Sequence, residues 1–170
     1  AVSVGHVAIV KELLGRGASI EARDQWGQTP LFSASSTGRL DMVRELLDRG
    51  AAVDARSGTG ATALAFAVNN RQLEAVRELV ARGADVNATD QFGFSPLLIA
   101  CSKGFVDVAC ELLGRGAMLE QRVREVILDP ASDELPVDHP LAADIGRIKA
   151  NSDIVALLRD AVARLGAAAV

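Results

Sequence analysis

Apolar side chains recur along this chain at helical spacing, and the whole pattern repeats every 33 residues. Leu13, Leu46, Leu79 and Leu112 form one row at that step, and Val10, Val43, Val76 and Ala109 form a second row three positions upstream. Residues three apart share a face of an α-helix, so each pair marks a helix with one buried stripe. Polar residues keep the same register. Glu12, Glu45, Glu78 and Glu111 each stand four residues before an arginine (Arg16, Arg49, Arg82, Arg115), an order that suits an ion pair along a solvent-facing helix. Gly17, Gly50, Gly83 and Gly116 then end the helix, each followed by alanine, and Ala1, Ala34, Ala67 and Ala100 keep the step elsewhere in the unit.

The stretch 24–56 displays one full unit. Gly27 marks a turn, and Thr29 and Pro30 open a helix, with a hydroxyl suited to capping and a proline tolerated in the first turn. Ser33, Ala34 and Ser35 are small enough to let this short helix approach its neighbours. Gly38 predicts a left-handed turn into a second helix carrying Leu40, Val43, Leu46 and Leu47, which Gly50 ends. The run 51–56 then extends toward the next turn. Each unit is thus expected to be a helix-turn-helix with a projecting β-hairpin loop, and a set of them to stack as an all-α solenoid.

These residues resemble the ankyrin repeat. The Thr-Pro-Leu start of that family stands here as Thr29, Pro30 and Leu31, and its Gly-Ala-Asp-Val-Asn end as Gly83, Ala84, Asp85, Val86 and Asn87. The resemblance runs from Ala1 to about Arg122 and predicts three complete repeats (24–56, 57–89 and 90–122), preceded by a partial one (1–23). Three departures stand out. Phe32, Ala65 and Leu98 replace the family's histidine, so packing has to replace the hydrogen bonds that residue makes between units. Ala63 replaces the proline. Arg71 stands where Gly38 and Gly104 make the interhelix turn, at a cost of about 1 kcal/mol if the left-handed geometry is kept. The unit 57–89 is therefore expected to be the least regular.

At both ends the pattern changes. Ala1 corresponds to Ala34, which predicts a truncated first unit with apolar surface around Val7, Val10 and Leu14 left partly uncovered, and hence self-association there of an otherwise monomeric domain. After Arg122 the period breaks. His139, Pro140 and Leu141 look like the next start, and Leu157 and Leu158 follow Leu46 and Leu47 by 111 residues where three periods would give 99. An insertion of about twelve residues before a degenerate capping repeat (139–170) follows from that difference. The inserted segment, 123–138, holds Arg124 against Glu125, Asp129, Asp133, Glu134 and Asp138. Its strand-like residues Val123 to Leu128, a turn at 129–133 and a return over 135–137 suggest an acidic elongated hairpin.

Composition narrows the function. A net charge of -4 offers no basic stripe for phosphates, which argues against nucleic acid, and no apolar run reaches the roughly 20 residues of a membrane helix. Two cysteines, Cys101 and Cys110, fall on different helices of one unit and suggest packed thiols in an intracellular, cytoplasmic setting. Catalysis needs convergent titratable groups. With helix layers about 8–10 Å apart, His6 and His139 should lie far from each other, and phosphate loops, zinc spacings and nucleophile elbows are absent. No enzyme activity, metal or cofactor is expected.

The resemblance implies instead a scaffold that binds a partner protein or peptide on the loop tips and the concave inner-helix face. Transferred to this chain, that surface comprises Arg23, Gln25, Trp26, Gln28, Ser36, Thr37 and Arg56 in the first complete unit. It continues with Thr59, Asn69 and Asn70, and then with Gln91, Phe92, Phe94, Ser102, Lys103 and Arg122. Trp26, Phe92 and Phe94 carry the sharpest expectation, because aromatic residues dominate interface hot spots. Phe92 and Phe94 flank one turn, so one of them is expected to pack inward. An alternative is a targeting or modification-substrate module of a larger protein. Asn87 matches the loop asparagine that hydroxylases modify in similar repeats, where Glu21, Asp54 and Glu120 hold the equivalent places.

Overall fold

A computed structural model of the chain describes residues 7–128 and 141–168, with the side chains of 121–123, 125 and 165–168 outside the description. Ten helices are found among these residues. The first is α1 (Val7–Gly15), followed by three pairs: α2 (Pro30–Ser36) with α3 (Leu40–Asp48), α4 (Ala63–Asn69) with α5 (Leu73–Ala81), and α6 (Pro96–Ser102) with α7 (Val106–Gly114). Then come α8 (Gln121–Leu128), α9 (Ala142–Lys149) and α10 (Ser152–Ala168). The short helices stack as an inner layer, α2 on α4 on α6 on α9, and the longer ones as an outer layer, α3 on α5 on α7, with α10 against α7.

Packing follows the periodic rows. Met42, Ala75 and Val108, then Val43, Val76 and Ala109, then Leu46, Leu79 and Leu112 are all buried in the outer layer, and Ala34, Ala67 and Ala100 are buried in the inner one. Each large aliphatic side chain so buried contributes about 1.5–3 kcal/mol. The tight turn between the helices of a pair is left-handed in all three units, with φ 66° at Gly38, 54° at Arg71 and 70° at Gly104. Arg71 is the non-glycine residue that takes this conformation among the described residues. The unit 57–89 is otherwise as regular as its neighbours, with helices of 7 and 9 residues like theirs, so its irregularity is confined to this one backbone position.

Packing also replaces the missing histidines. Phe32, Ala65 and Leu98 are buried, and the Phe32 ring meets Phe66 of the next unit edge-on, with centroids 5.2 Å apart and planes at 83°. Capping is less uniform than the sequence suggests. The Thr62 and Ser95 hydroxyls accept the N–H groups of Ala65 and Leu98 at 3.3 and 3.2 Å. Thr29 does not cap: the Phe32 N–H goes to the Thr29 carbonyl at 3.0 Å, and the Thr29 hydroxyl is buried without a partner among the described residues.

One expectation about the ends is corrected and another is refined. The stretch from Val123 to Leu128 is not a strand: α8 covers it, because turning the chain helically places Val126 and Ile127 together in the core beside α9 and α10. β-Branched content alone suggested a strand there, and burial of one helical face outweighs that local preference. The rest of the expected hairpin, 129–138, lies outside the described residues. At the other end, the exposed apolar residues of α1 are Ile9 and Leu13, whereas Val10 is buried and Val7 and Leu14 are half-buried.

Candidate functional site

Three loop tips stand side by side, and backbone hydrogen bonds tie them together. Each is closed across its base, from Asp24 N–H to Gln28 O at 3.0 Å, Ser57 to Ala61 at 2.9 Å, and Asp90 to Phe94 at 3.2 Å. They are hairpin-like turns without a strand ladder among the described residues. Gly58 N–H donates to Trp26 O at 2.8 Å and Gln91 N–H to Thr59 O at 3.0 Å, so each tip is bonded to the next. Glycine is needed here. A Cβ on Gly27, at φ 72°, would come within 2.8 Å of the Gly58 nitrogen.

Aspartates make the outer tips rigid. Asp24 Oδ1 accepts the N–H groups of Trp26 and Gln28, and Asp90 Oδ1 those of Phe92 and Phe94, all at 2.9 Å. With the backbone so committed, the Cα–Cβ bonds that leave the turn are fixed in direction. Trp26 is 62% exposed and Phe92 is 49% exposed, at equivalent positions two units apart. Phe94 is half-buried and packs on the core, so the two rings of that turn point different ways.

The arginines of the tips serve the framework. Arg23 Nη1 donates to Gly27 O at 2.9 Å and to Arg56 O at 2.6 Å, and Arg56 Nη1 repeats the arrangement with Gly60 O at 2.8 Å and Thr89 O at 2.6 Å. Thr59 bonds Ser57 through its hydroxyl at 3.1 Å. Gln25 and Gln91 are exposed and Gln28 is half-buried. The side chain of Arg122 lies outside the described residues.

On the inner helices, Asn70 Nδ2 donates to Ser36 Oγ at 3.1 Å and to Phe66 O at 2.9 Å, and Thr37 Oγ1 donates to Ser33 O at 2.7 Å. These groups are engaged within the protein. Asn69 and Lys103 are exposed, and their side-chain groups have no hydrogen-bond or ion-pair partner among the described residues. Both open onto a cavity of about 280 Å³ between α4, α6 and α9. Phe94 and Ile99 give it an apolar wall. Its far side is Asp144, which accepts the Ser102 hydroxyl and Arg147 Nη1. Sequence reasoning found Asn69, Phe94, Ser102 and Lys103 but missed Asp90, Ile99, Asp144 and Arg147. Ile99 could have been found, since it stands one period after Phe66, whereas α9 belongs to the degenerate last unit, which the inserted residues put out of step with the 33-residue rows.

The outer layer is held differently. Glu45, Glu78 and Glu111 pair with Arg49, Arg82 and Arg115 of their own helices at 2.6, 3.1 and 3.1 Å. Each also receives a cation from the preceding unit: Lys11 on Glu45 at 3.1 Å, Arg44 on Glu78 at 2.8 Å and Arg77 on Glu111 at 2.8 Å. The glutamates are consequently mostly covered rather than solvent-facing, and hydrogen bonds from Lys11 and from Arg77 hold the carboxyls of Glu45 and Glu111 below the usual range. Arg71 adds a further clasp, 3.3 Å from Asp107 and 5.4 Å from the Phe105 ring centroid. Burial raises the Asp107 carboxyl, but bonds from Arg71 and the Val108 backbone outweigh it and the net shift is downward.

Asn87 belongs to another row. Its Oδ1 accepts the Met118 N–H at 2.9 Å, as Glu21 accepts that of Ala52 at 2.8 Å and Asp54 that of Asp85 at 3.0 Å. The asparagine thus joins one loop to the next in the same way as the acidic residues. His6 and His139 lie outside the described residues. Burial pushes the Cys101 thiol up to about 12, so it stays protonated, while Cys110 is exposed on α7. Among the described residues no group of His, Cys, Asp and Glu converges to hold a metal ion, and no helix is long and apolar enough to cross a membrane.

Helix pairs stacked in two layers, with bonded tips along one edge, define a repeat solenoid that presents an extended surface. The family described as ankyrin repeats (3 copies) matches residues 1–90 and, overlapping, residues 54–123. The chain belongs to the ankyrin-repeat family, whose members generally act as protein-interaction modules. No curated protein matches it.

Proposed function

We propose that this chain is a binding module that captures a partner protein or peptide through its loop tips and inner-helix face, without chemistry of its own. The carrying observation is the pair of exposed rings, Trp26 and Phe92, projecting from equivalent places on tips whose backbone groups are already satisfied. Such rings add contact area with little ordering cost, which is what interface anchors require. Gln25 and Gln91 stand beside them as adaptable polar contacts. Lys103 and Asn69 extend the surface toward the C-terminal end of the inner layer. The reducing, intracellular setting rests on two unpaired thiols, Cys101 and Cys110.

The test is the double variant Trp26→Ala with Phe92→Ala, used as bait beside the unaltered chain for quantitative affinity capture from cell extract. Captured partners should fall away while folding stability stays within about 0.5 kcal/mol, as expected of exposed side chains. A large fall in melting temperature with capture intact would overturn the assignment.

A further inference from the structure

The outer-helix face occurs four times along the stack, and its first copy, on α1, differs from the rest. Ile9 and Leu13 are 49% and 48% exposed, whereas one, two and three periods on Met42 with Leu46, Ala75 with Leu79 and Val108 with Leu112 are buried. Ala18 is likewise exposed where Ala51, Ala84 and Ala117 are buried. The Glu12 side chain is 65% exposed, against 17, 14 and 17% for Glu45, Glu78 and Glu111, because it holds Arg16 but receives no second cation. Backbone donors follow the same rule. The N–H groups of Ala52, Asp85 and Met118 go to side chains of the preceding unit, and those of Gly58 and Gln91 go to the tip before. Their counterparts one period earlier, Ser19 and Gln25, have no acceptor among the described residues.

Scattered apolar exposure is ordinary on a protein surface. Exposure confined to positions that three other units bury, beside a carboxylate short of a cation and donors short of acceptors, describes one half of a joint. We infer that this face of α1 receives a further helix-turn-helix unit of the same kind, with a basic residue for Glu12 and a carboxylate or amide for the Ser19 N–H. The chemistry is that of the three joints already filled, where Lys11, Arg44 and Arg77 reach the glutamates and Glu21, Asp54 and Asn87 take the amides. A second copy of the chain fits less well. Paired two-fold, it brings only Lys11 and Arg16 from α1, and these already hold Glu45 and Glu12. Stacked head to tail, it offers Cys110 where Lys11, Arg44 and Arg77 stand, on a helix that α10 covers.

Attaching a copy of residues 24–66 ahead of Ala1 tests this in the full chain, because that length keeps the period. It brings the added Arg44 to Glu12, the added Asp54 to the Ser19 N–H and the added Thr59 carbonyl to the Gln25 N–H, at the sequence separations of the existing joints. Hydrogen exchange at the Ser19 and Gln25 amides should slow about tenfold or more relative to the unextended chain. The paired change Ile9→Ser with Leu13→Ser should lower the melting temperature of the extended chain by several degrees and that of the unextended chain far less. An added segment two residues shorter, 24–64, should protect neither amide. Unchanged exchange at both amides, an equal effect of the paired serines in the two chains, or protection by the shorter segment overturns the inference. So does a concentration-dependent dimer of the unextended chain that buries Ile9 and Leu13, since the occupant is then a second copy.

Discussion

The outer and inner layers handle polar groups in opposite ways. Along α3, α5 and α7 each repeated glutamate is held by two cations, one from its own helix and one from the unit before, and the row becomes a continuous cross-brace. In the inner layer, Asn69 of α4 and Lys103 just after α6 have no such partners among the described residues, and Trp26 and Phe92 project from the tips. Satisfied polar rows and buried leucines fix the stack, while groups left open on a fixed stack are available to something else. Exposure alone does not separate the two roles. Arg23 and Arg56 are exposed as Trp26 is, yet their guanidiniums are anchored through Nη1 to neighbouring carbonyls.

The largest break in this contrast should come from the shared core. Leu79→Ala removes a fully buried side chain where three units meet, and should cost about 2–5 kcal/mol in chemical denaturation. A smaller effect is expected in the outer brace. Glu111→Gln should lower the melting temperature at neutral pH, less so in high salt. The Glu45, Glu111 and Asp107 carboxyls are lowered in the folded protein, so their stabilisation is present above the usual carboxylate range and is lost as pH falls through their folded values. Melting curves down to about pH 3 should therefore show a steeper acid loss for the unaltered chain than for Glu111→Gln. The smallest effect concerns Arg71. Arg71→Gly and Arg71→Ala both remove the clasp to Asp107, but only alanine keeps the left-handed penalty, so the glycine variant should be the more stable by about 1 kcal/mol in urea titration. Equal midpoints would mean that the turn relaxes.

Much of the stack was legible in the sequence because it depends on residue type at a fixed step. The leucine rows, the glycine turns, the left-handed Arg71 and the pairs along each outer helix follow from short-range spacing. What was not legible depends on where a side chain points after stacking. The second cation on each glutamate lies 34 residues away and belongs to no helical periodicity, and the braces from Arg23 and Arg56 end on carbonyls, which every residue possesses. Thr29, Thr62 and Ser95 are alike in sequence, yet only the latter two hydroxyls cap, because at Thr29 its own carbonyl takes the donor. The β-branched content of α8 pointed to a strand, and Asp144 and Arg147 enter the candidate site from the degenerate last unit, which is out of step with the 33-residue rows.

The Glu–Arg braces, the loop carboxylates and the bonds between tips recur, so for these joints each module carries one half on one side and the complementary half on the other. Excision of residues 57–89 would bring Arg44 to Glu111, Asp54 to the Met118 amide and the Trp26 carbonyl to the Gln91 amide, the same kinds of union that exist now. A gene encoding this protein can thus lose or gain whole modules by unequal recombination and keep these recurring unions, whereas a cut out of step with the 33-residue period would break them.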